Sequence, residues 1–327
     1  MTQKVTALLP VVSRAGTKMA STSAAPKTTV YQSDMESFHA HLKQSTRVLA
    51  LLGAGLSASS GLPTFRGAGG LWRTHQATHL ATPQAFAANP GLVWQFYSYR
   101  RHMSLNATPN AAHYALAALA QKMPQCQCLS QNVDGLSPRA HHPAGQLQLL
   151  HGSLFDVKCS DQDGCGYKEI NYTDPIVPAL AIPLSGHDPT TDVARQEADV
   201  SNISTPLATL SAQDLPACPS CKKHILRPGV VWFGEALPRS VLRTVDDYIA
   251  ASDIDLIIVI GTSAKVFPAA GYIDEARDQG ARVCVVNMDE NDAPPGGWEA
   301  GDWFFRGDAA ELVPKLLEPI VGKVEVP

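Results

Sequence analysis

The stretch Arg47-Val-Leu-Ala-Leu-Leu-Gly-Ala-Gly-Leu-Ser-Ala-Ser-Ser-Gly61 joins an unbroken apolar run to a turn made of small residues. A run of that length and composition reads as a strand buried on both faces, the form strands take in a parallel sheet. Glycines directly after such a strand let the backbone approach a pyrophosphate, and the N–H groups of the helix they open can bind it. The spacing is not that of the hydride-transfer fingerprint. The third glycine follows the second by six residues rather than three, and no acid about 20 residues on is placed to hold a ribose. The segment therefore reads as a dinucleotide loop of another kind, with a ligand-free tight turn as the alternative.

Working outward, strands are expected at Cys126–Ser130, Leu147–Leu150, Leu256–Ile260, Arg282–Val286 and Trp303–Phe305, and helices at 34–44, 238–251, 268–279 and 308–317. The stretch 62–122 reads as helical, with Thr82-Pro83, Asn89-Pro90 and Thr108-Pro109 each placing a capping side chain before a first-turn proline. Strands alternating with helices imply an α/β fold with a Rossmann-like parallel sheet. Residues 155–228 break the alternation and read as a small inserted module held by something other than a hydrophobic core. The expected organisation is a disordered tail or transit peptide over 1–33, a Rossmann-like dinucleotide-binding domain over 34–154 and 229–318, the small module over 155–228, and a C-terminal tail over 319–327.

The 327 residues are 45% hydrophobic and 17% charged, enough for one large domain and a smaller one. No run approaches the roughly 18 apolar residues of a membrane span, so no membrane partner is expected. Residues 1–33 hold Lys4, Arg14, Lys18 and Lys27 and no acid, so the rest of the chain carries 22 bases against 30 acids. A body that acidic is a poor binder of phosphate backbones, and direct nucleic-acid binding is not expected. A monomer is expected. The acid-free, Ser/Thr/Ala-rich start fits a mitochondrial transit peptide with a weak amphipathic signal, which places the protein in the mitochondrial matrix or else in cytoplasm or nucleus; no secretory signal is present.

Seven cysteines, an odd number without an export signal, argue against a disulfide scaffold. Cys159, Cys165, Cys218 and Cys221 form two close pairs, and four thiolates are the ligand set of a closed structural zinc site. A redox Cys-x2-Cys is the alternative. Cys126, Cys128 and Cys284 fall in strand-like segments and read as core thiols. Polar or glycine-rich strand ends at Gly53–Gly55, Gln131–Asp134, Gly261–Ser263 and Asn287 converge on one crevice in a doubly wound sheet. His151 closes the strand before it, where an imidazole titrating near about 6.5 can serve as a general base.

In this order, Gly53–Gly67, Gln131-Asn-Val-Asp134, His151-Gly152, the cysteine pairs, Val230-Val-Trp-Phe-Gly-Glu235, Gly261-Thr-Ser263 and Asn287 resemble the sirtuin family over about residues 34–318. The resemblance implies a zinc-ribbon small domain, NAD between the two domains, and an enzyme that consumes NAD to remove acyl groups from protein lysines. It implies NAD contacts at Gly53, Ala54, Gly55, Ser57, Ala58, Thr64, Phe65, Arg66 and Trp72, at Gln131, Asn132 and Asp134, at Gly261, Thr262 and Ser263, and at Asn287, Met288, Asp289 and Asp308. His151 matches the catalytic base that activates a ribose hydroxyl once the acyl oxygen has displaced nicotinamide. The products would be free lysine, nicotinamide and 2′-O-acyl-ADP-ribose. Val230, Val231, Trp232, Phe233, Gly234 and Glu235 resemble the strand that clamps the substrate peptide by β-augmentation.

The acyl group is read from the helix Gly91–Met103. At about 100° per residue, Leu92, Phe96, Tyr99 and Met103 form an apolar stripe, Arg101 points to solvent, and Tyr97 and Arg100 share a flank. A guanidinium fork beside a phenol suits a carboxylate, though helix geometry alone equally allows a solvated arginine beside a packing tyrosine. Resemblance favours the first reading. Tyr97 and Arg100 match the acid-reading pair of the desuccinylase/demalonylase branch, and Ala77 and Ala81 match the small residues that widen its acyl pocket. A succinyl-, malonyl- or glutaryl-lysine substrate is expected. General deacetylation, mono-ADP-ribosyl transfer and an idle NAD or acyl-lysine sensor are the rivals, and a dehydrogenase is the most distant. Ser59 and Ser137 depart from the family pattern, where Glu and His are usual, and Pro138–Pro143 reads as a short insertion.

Overall fold

The computed structural model describes residues 31–64, 71–161, 163–182, 203 and 206–327. The apolar run becomes β1 (Val48–Leu52), followed by a hairpin of β2 (Leu71–Trp72) and β3 (His75–Gln76). Next come β4 (Cys126–Ser130), β5 (Leu147–Leu149), β6 (Asp156–Cys159), β7 (Lys168–Ile170) and β8 (Leu226–Pro228). The chain then forms β9 (Leu256–Ile260), β10 (Arg282–Asn287) and β11 (Trp303–Arg306). Six of these make one parallel sheet in the order β11-β10-β9-β1-β4-β5, and β7-β6-β8 make a separate antiparallel sheet.

Every residue of β1 is buried, because alternate side chains enter opposite layers. Val48, Ala50 and Leu52 pack into one hydrophobic cluster, with Phe38 and Leu42 of the first helix (Met35–Gln44) and Leu316 and Leu317 of the last (Ala309–Val321). Leu49 and Leu51 pack into the other, with Val245, Ile249, Tyr272 and Ile273. The chain runs from β1 out to β4 and β5, then returns on the far side of β1 through β9, β10 and β11. The direction of winding therefore reverses at β1, and a ligand crevice belongs at that switch point.

Several sequence expectations are corrected. The stretch 62–122 is not helical throughout: β2 and β3 pair across a turn in which Arg73 has φ 56°, and the buried Trp72 ring meets Phe96 edge-on at 5.6 Å. Thr82 and Asn89 cap as expected, but Thr108-Pro109 starts nothing. The helix Ala111–Lys122 is capped by Asn110, whose side chain accepts the Ala112 N–H while His113 accepts the Asn110 N–H in return. The final helix runs past the expected stop to Val321 despite Pro314 and Pro319, because Val313, Leu316, Leu317 and Val321 are buried against the core. The small module does share a hydrophobic core: Val157, Leu180, Leu215 and Leu226 pack with Val93, Trp94 and Phe96.

The largest correction concerns the helix Pro90–Asn106. Arg101 is 1% exposed and points inward, donating to the carbonyls of Leu154, Asn171 and Thr173. A guanidinium carries five donors and can satisfy several buried carbonyls at once, so Arg101 fastens this helix to the segment leading out of β7. The face it shares with Val93, Trp94 and Tyr97 is buried, whereas Leu92, Tyr99 and Met103 of the expected apolar stripe are only half-buried. The helix is enclosed on more than one side, and a single-face reading of its period misplaces the stripe.

Candidate active site

The residues just past the strands of the large sheet line one cavity of about 520 Å³. Gly53, Ala54 and Gly55 come after β1, Gln131 and Asn132 after β4, and His151 after β5. Gly261, Thr262 and Ser263 come after β9, Asn287 closes β10, and Gly307 and Asp308 come after β11. The β1 and β9 loops interlock closely: a Cβ on Gly53 would stand 2.5 Å from Thr262 Cβ, and one on Gly55 2.6 Å from Gly261 Cα. Ala54–Ser60 is a 3₁₀ helix whose leading residue, Gly53, makes no side-chain cap. Backbone without side-chain cover, facing a cavity along the carboxyl edge of the sheet, is the chemistry that suits a pyrophosphate. The residues present therefore fit a dinucleotide such as NAD.

His151 Nδ1 lies 2.9 Å from the Gln131 carbonyl. A carbonyl only accepts, so Nδ1 carries the hydrogen and Nε2 keeps the lone pair on a ring that lines the cavity. Burial lowers the pKa of this imidazole below its ordinary value, partly offset by the Gln131 carbonyl. At neutral pH the ring is an unprotonated base.

The same cavity is lined by Ala81, Tyr97, Arg100 and Trp232. Burial pushes the Tyr97 phenol well up, with Arg100 and the Trp232 indole N–H offsetting part of the rise. Tyr97 therefore stays a neutral donor. Burial pulls the Arg100 guanidinium down, while Tyr97 and Asp134 pull it back. Its charge is held on a half-buried side chain lining the cavity, where a carboxylate would be a favourable partner.

The wall Val230–Glu235 is not the expected strand. The ladder stops at Pro228, and Trp232–Glu235 closes as a turn in which Gly234 has φ 88°. Both oxygens of Glu235 are engaged, accepting from Arg227 and from the Trp232 backbone N–H. Burial alone would raise this carboxyl, but Arg227 and that N–H outweigh it and leave it below the ordinary carboxylate range. Glu235 shapes the wall.

Other expected contacts fall outside the cavity. Ser57 is buried beneath the loop and donates to Asp134 at 2.7 Å, and both border a smaller recess behind Arg100 rather than the main cavity. Trp72 and Ala77 are buried in the adjoining core. Ala58, Thr64, Met288 and Asp289 line the cavity, and Phe65 and Arg66 lie outside the described residues. Ser59 donates to Asp308, which also caps the last helix. Sequence reading missed Phe96, Leu237, Val266, Phe267 and Asp292. Val266 and Phe267 lie just beyond the Gly261–Ser263 strand end and could have been found by extending it. Asp292, buried and bonded to Asn287 at 3.1 Å, carries no sequence signal.

Beneath this site His113 is 1% exposed, with Nδ1 at Asn110 and Nε2 3.4 Å from Ser57 Oγ. Burial takes its pKa down to about 4, against a partial lift from Asp134. The folded value lies below the unfolded one near 6.5, so the neutral ring's contribution is complete above about pH 6.5 and is lost as pH falls toward 4. The loss is on the order of 3 kcal/mol. Chemical denaturation at pH 7 and pH 4.5 should show His113→Gln losing less stability on acidification than the parent; equal losses would contradict this.

The four cysteine sulfurs lie within 4.8 Å of one another, with Cys159–Cys221 at 3.8 Å and Cys165–Cys218 at 3.7 Å. A tetrahedron with metal–sulfur bonds of about 2.3 Å has edges of about 3.8 Å, so the donor set and its size fit one zinc ion. Gly166, with φ 65°, turns the backbone after the first pair. The site is closed by four thiolates and distant from His151 in role, which makes it structural.

The chain's residues 53–268 match the Sir2 family. It is 42% identical to an NAD-dependent protein deacylase of Candida albicans, over 89% of this chain and 99% of that one. It is 37% identical to the NAD-dependent protein deacylase sirtuin-5, mitochondrial, of Danio rerio, over 90% of this chain and 89% of that one. Among solved structures, a Sir2 homolog–NAD complex superposes with a TM-score of 0.70 at 35% identity, covering 89% of this chain and 95% of that one.

Proposed function

The chain belongs to the Sir2 family, and on that footing we propose that it is an NAD-dependent protein-lysine deacylase whose acyl pocket selects acidic groups: succinyl, malonyl or glutaryl. When bound, NAD supplies the ribose carbon that takes the acyl oxygen and the nicotinamide that leaves. His151 holds its Nε2 lone pair at the cavity for the proton of a ribose hydroxyl, and the Gln131 carbonyl fixes the tautomer. The glycine-rich strand ends hold the cofactor, and the apolar wall of Phe96, Val230 and Trp232 excludes water from the acyl chain.

The observation that carries the acidic preference is Arg100. Arg100 and the neutral Tyr97 line the cavity together with the apolar Ala81, Phe96, Val230 and Trp232. Charge-assisted bonds of about 1.5–3 kcal/mol each make such a pair worth a large preference for a carboxylate. A panel of acyl-lysine peptides incubated with NAD and read by mass spectrometry should show succinyl, malonyl or glutaryl removal at least about tenfold faster than acetyl removal. Arg100→Met should cut desuccinylation by about 100-fold or more while leaving any weak deacetylation within a few-fold; equal loss of both would refute the assignment.

We also propose a mitochondrial location. The first 33 residues carry bases without acids, and the zebrafish relative is named as mitochondrial. A fluorescent reporter fused behind residues 1–40 should enter mitochondria; diffuse cytosolic signal would overturn this.

A further inference from the structure

The Trp232 side chain is 2% exposed, and its Nε1 is a buried donor without a partner at full hydrogen-bond geometry. Such a group is costly unless something engages it. Its ring stands 6.3 Å from that of Tyr97, tilted by 36°, and both line the acyl end of the cavity. Its position is over-determined: Arg227 lies 3.4 Å above its ring, Glu235 binds both Arg227 and the Trp232 backbone N–H, and Phe86 packs against it at 5.2 Å.

We propose that Trp232 is a positioning residue for acyl-group selection: its indole N–H faces the Tyr97 hydroxyl oxygen and so directs the Tyr97 proton outward, toward the carboxylate of an acidic acyl group. A phenol that accepts from a fixed donor has its own hydrogen left for another acceptor. Unoriented, the same hydroxyl could turn a lone pair toward the carboxylate and repel it. The indole ring forms part of the cavity wall, and its N–H acts on the carboxylate through Tyr97 rather than by bonding it directly. The inference rests on the acidic-acyl reading above and specifies how the pocket enforces it.

The test is a double-mutant cycle on the succinyl-to-acetyl ratio of kcat/KM. Trp232→Phe keeps an aromatic ring in the wall but removes the N–H together with part of the indole. It should lower the ratio about tenfold, chiefly through KM for the succinyl peptide, with the loss of wall area shared by both substrates and so cancelling in the ratio. In a Tyr97→Phe background the same change should have no further effect on the ratio, since no hydroxyl remains to orient. An unchanged ratio, an equal fall for both substrates, or additive effects in the double variant would each overturn the role of Trp232 while leaving the acidic preference standing. A parent enzyme with no preference for succinyl would remove that preference and this inference together. Should Trp232→Phe fail to fold, 15N-indole spectra of the parent decide. The Trp232 Nε1–H resonance should move further on adding succinyl peptide than on adding acetyl peptide; the same response to both would overturn the proposal.

Discussion

His151→Phe should lower kcat/KM for deacylation by about 10³-fold, within the range expected when a positioned general base is lost, while peptide and NAD binding change by no more than a few-fold. The expectation comes from the geometry. The ring lines the cavity, its Nδ1 hydrogen is committed to the Gln131 carbonyl, and only Nε2 is left to take a proton. Because burial lowers its pKa, the parent should hold its activity on acidification until below the ordinary histidine range near 6.5. The acid limb of the pH–rate profile should be absent from whatever residual activity the variant retains. A variant that turns over normally would show that another group moves the proton.

Cys218→Ser should release the metal and collapse the small sheet. Binding of a structural zinc by four thiolates contributes on the order of 10–16 kcal/mol, comparable to or larger than the whole stability of a typical domain. The consequence reaches the active site through β8. Gly229, immediately after it, lies so close to Asp156 of β6 that a Cβ there would overlap the Asp156 side chain, and the next residues form the cavity wall through Glu235. Elemental analysis should give one zinc per parent chain and none per Cys218→Ser chain, with the melting transition lowered or split and deacylation lost. Zinc-free parent with unchanged melting and activity would contradict a structural metal.

The parallel sheet was legible because β1, β9 and most of β10 are short apolar runs bounded by glycine or polar strand ends, and Val48–Leu52 is apolar at every position and buried on both faces. The crevice was legible for the same reason: a doubly wound sheet brings all its carboxyl ends together. The cysteine pairs announced their cluster through spacing alone. What escaped was set by partners remote in sequence. Arg101 reads as a solvent residue until Leu154, Asn171 and Thr173 present three carbonyls to it. The turn at Trp232–Glu235 reads as a strand until Arg227, eight residues before Glu235, claims that carboxylate. Asp292 enters the site through Asn287 and Lys265, and neither contact has a periodic signature.

The most direct test of an acid-reading acyl pocket varies the substrate and the protein together. Peptides carrying succinyl-lysine and its uncharged carboxamide isostere differ by the charge that Arg100 would meet, with size and shape nearly constant. The parent enzyme should favour the succinyl peptide by about 100-fold in kcat/KM, and Arg100→Met should treat the two nearly alike. A parent that turns over both peptides equally, or an Arg100→Met variant that keeps the full preference, would contradict the account.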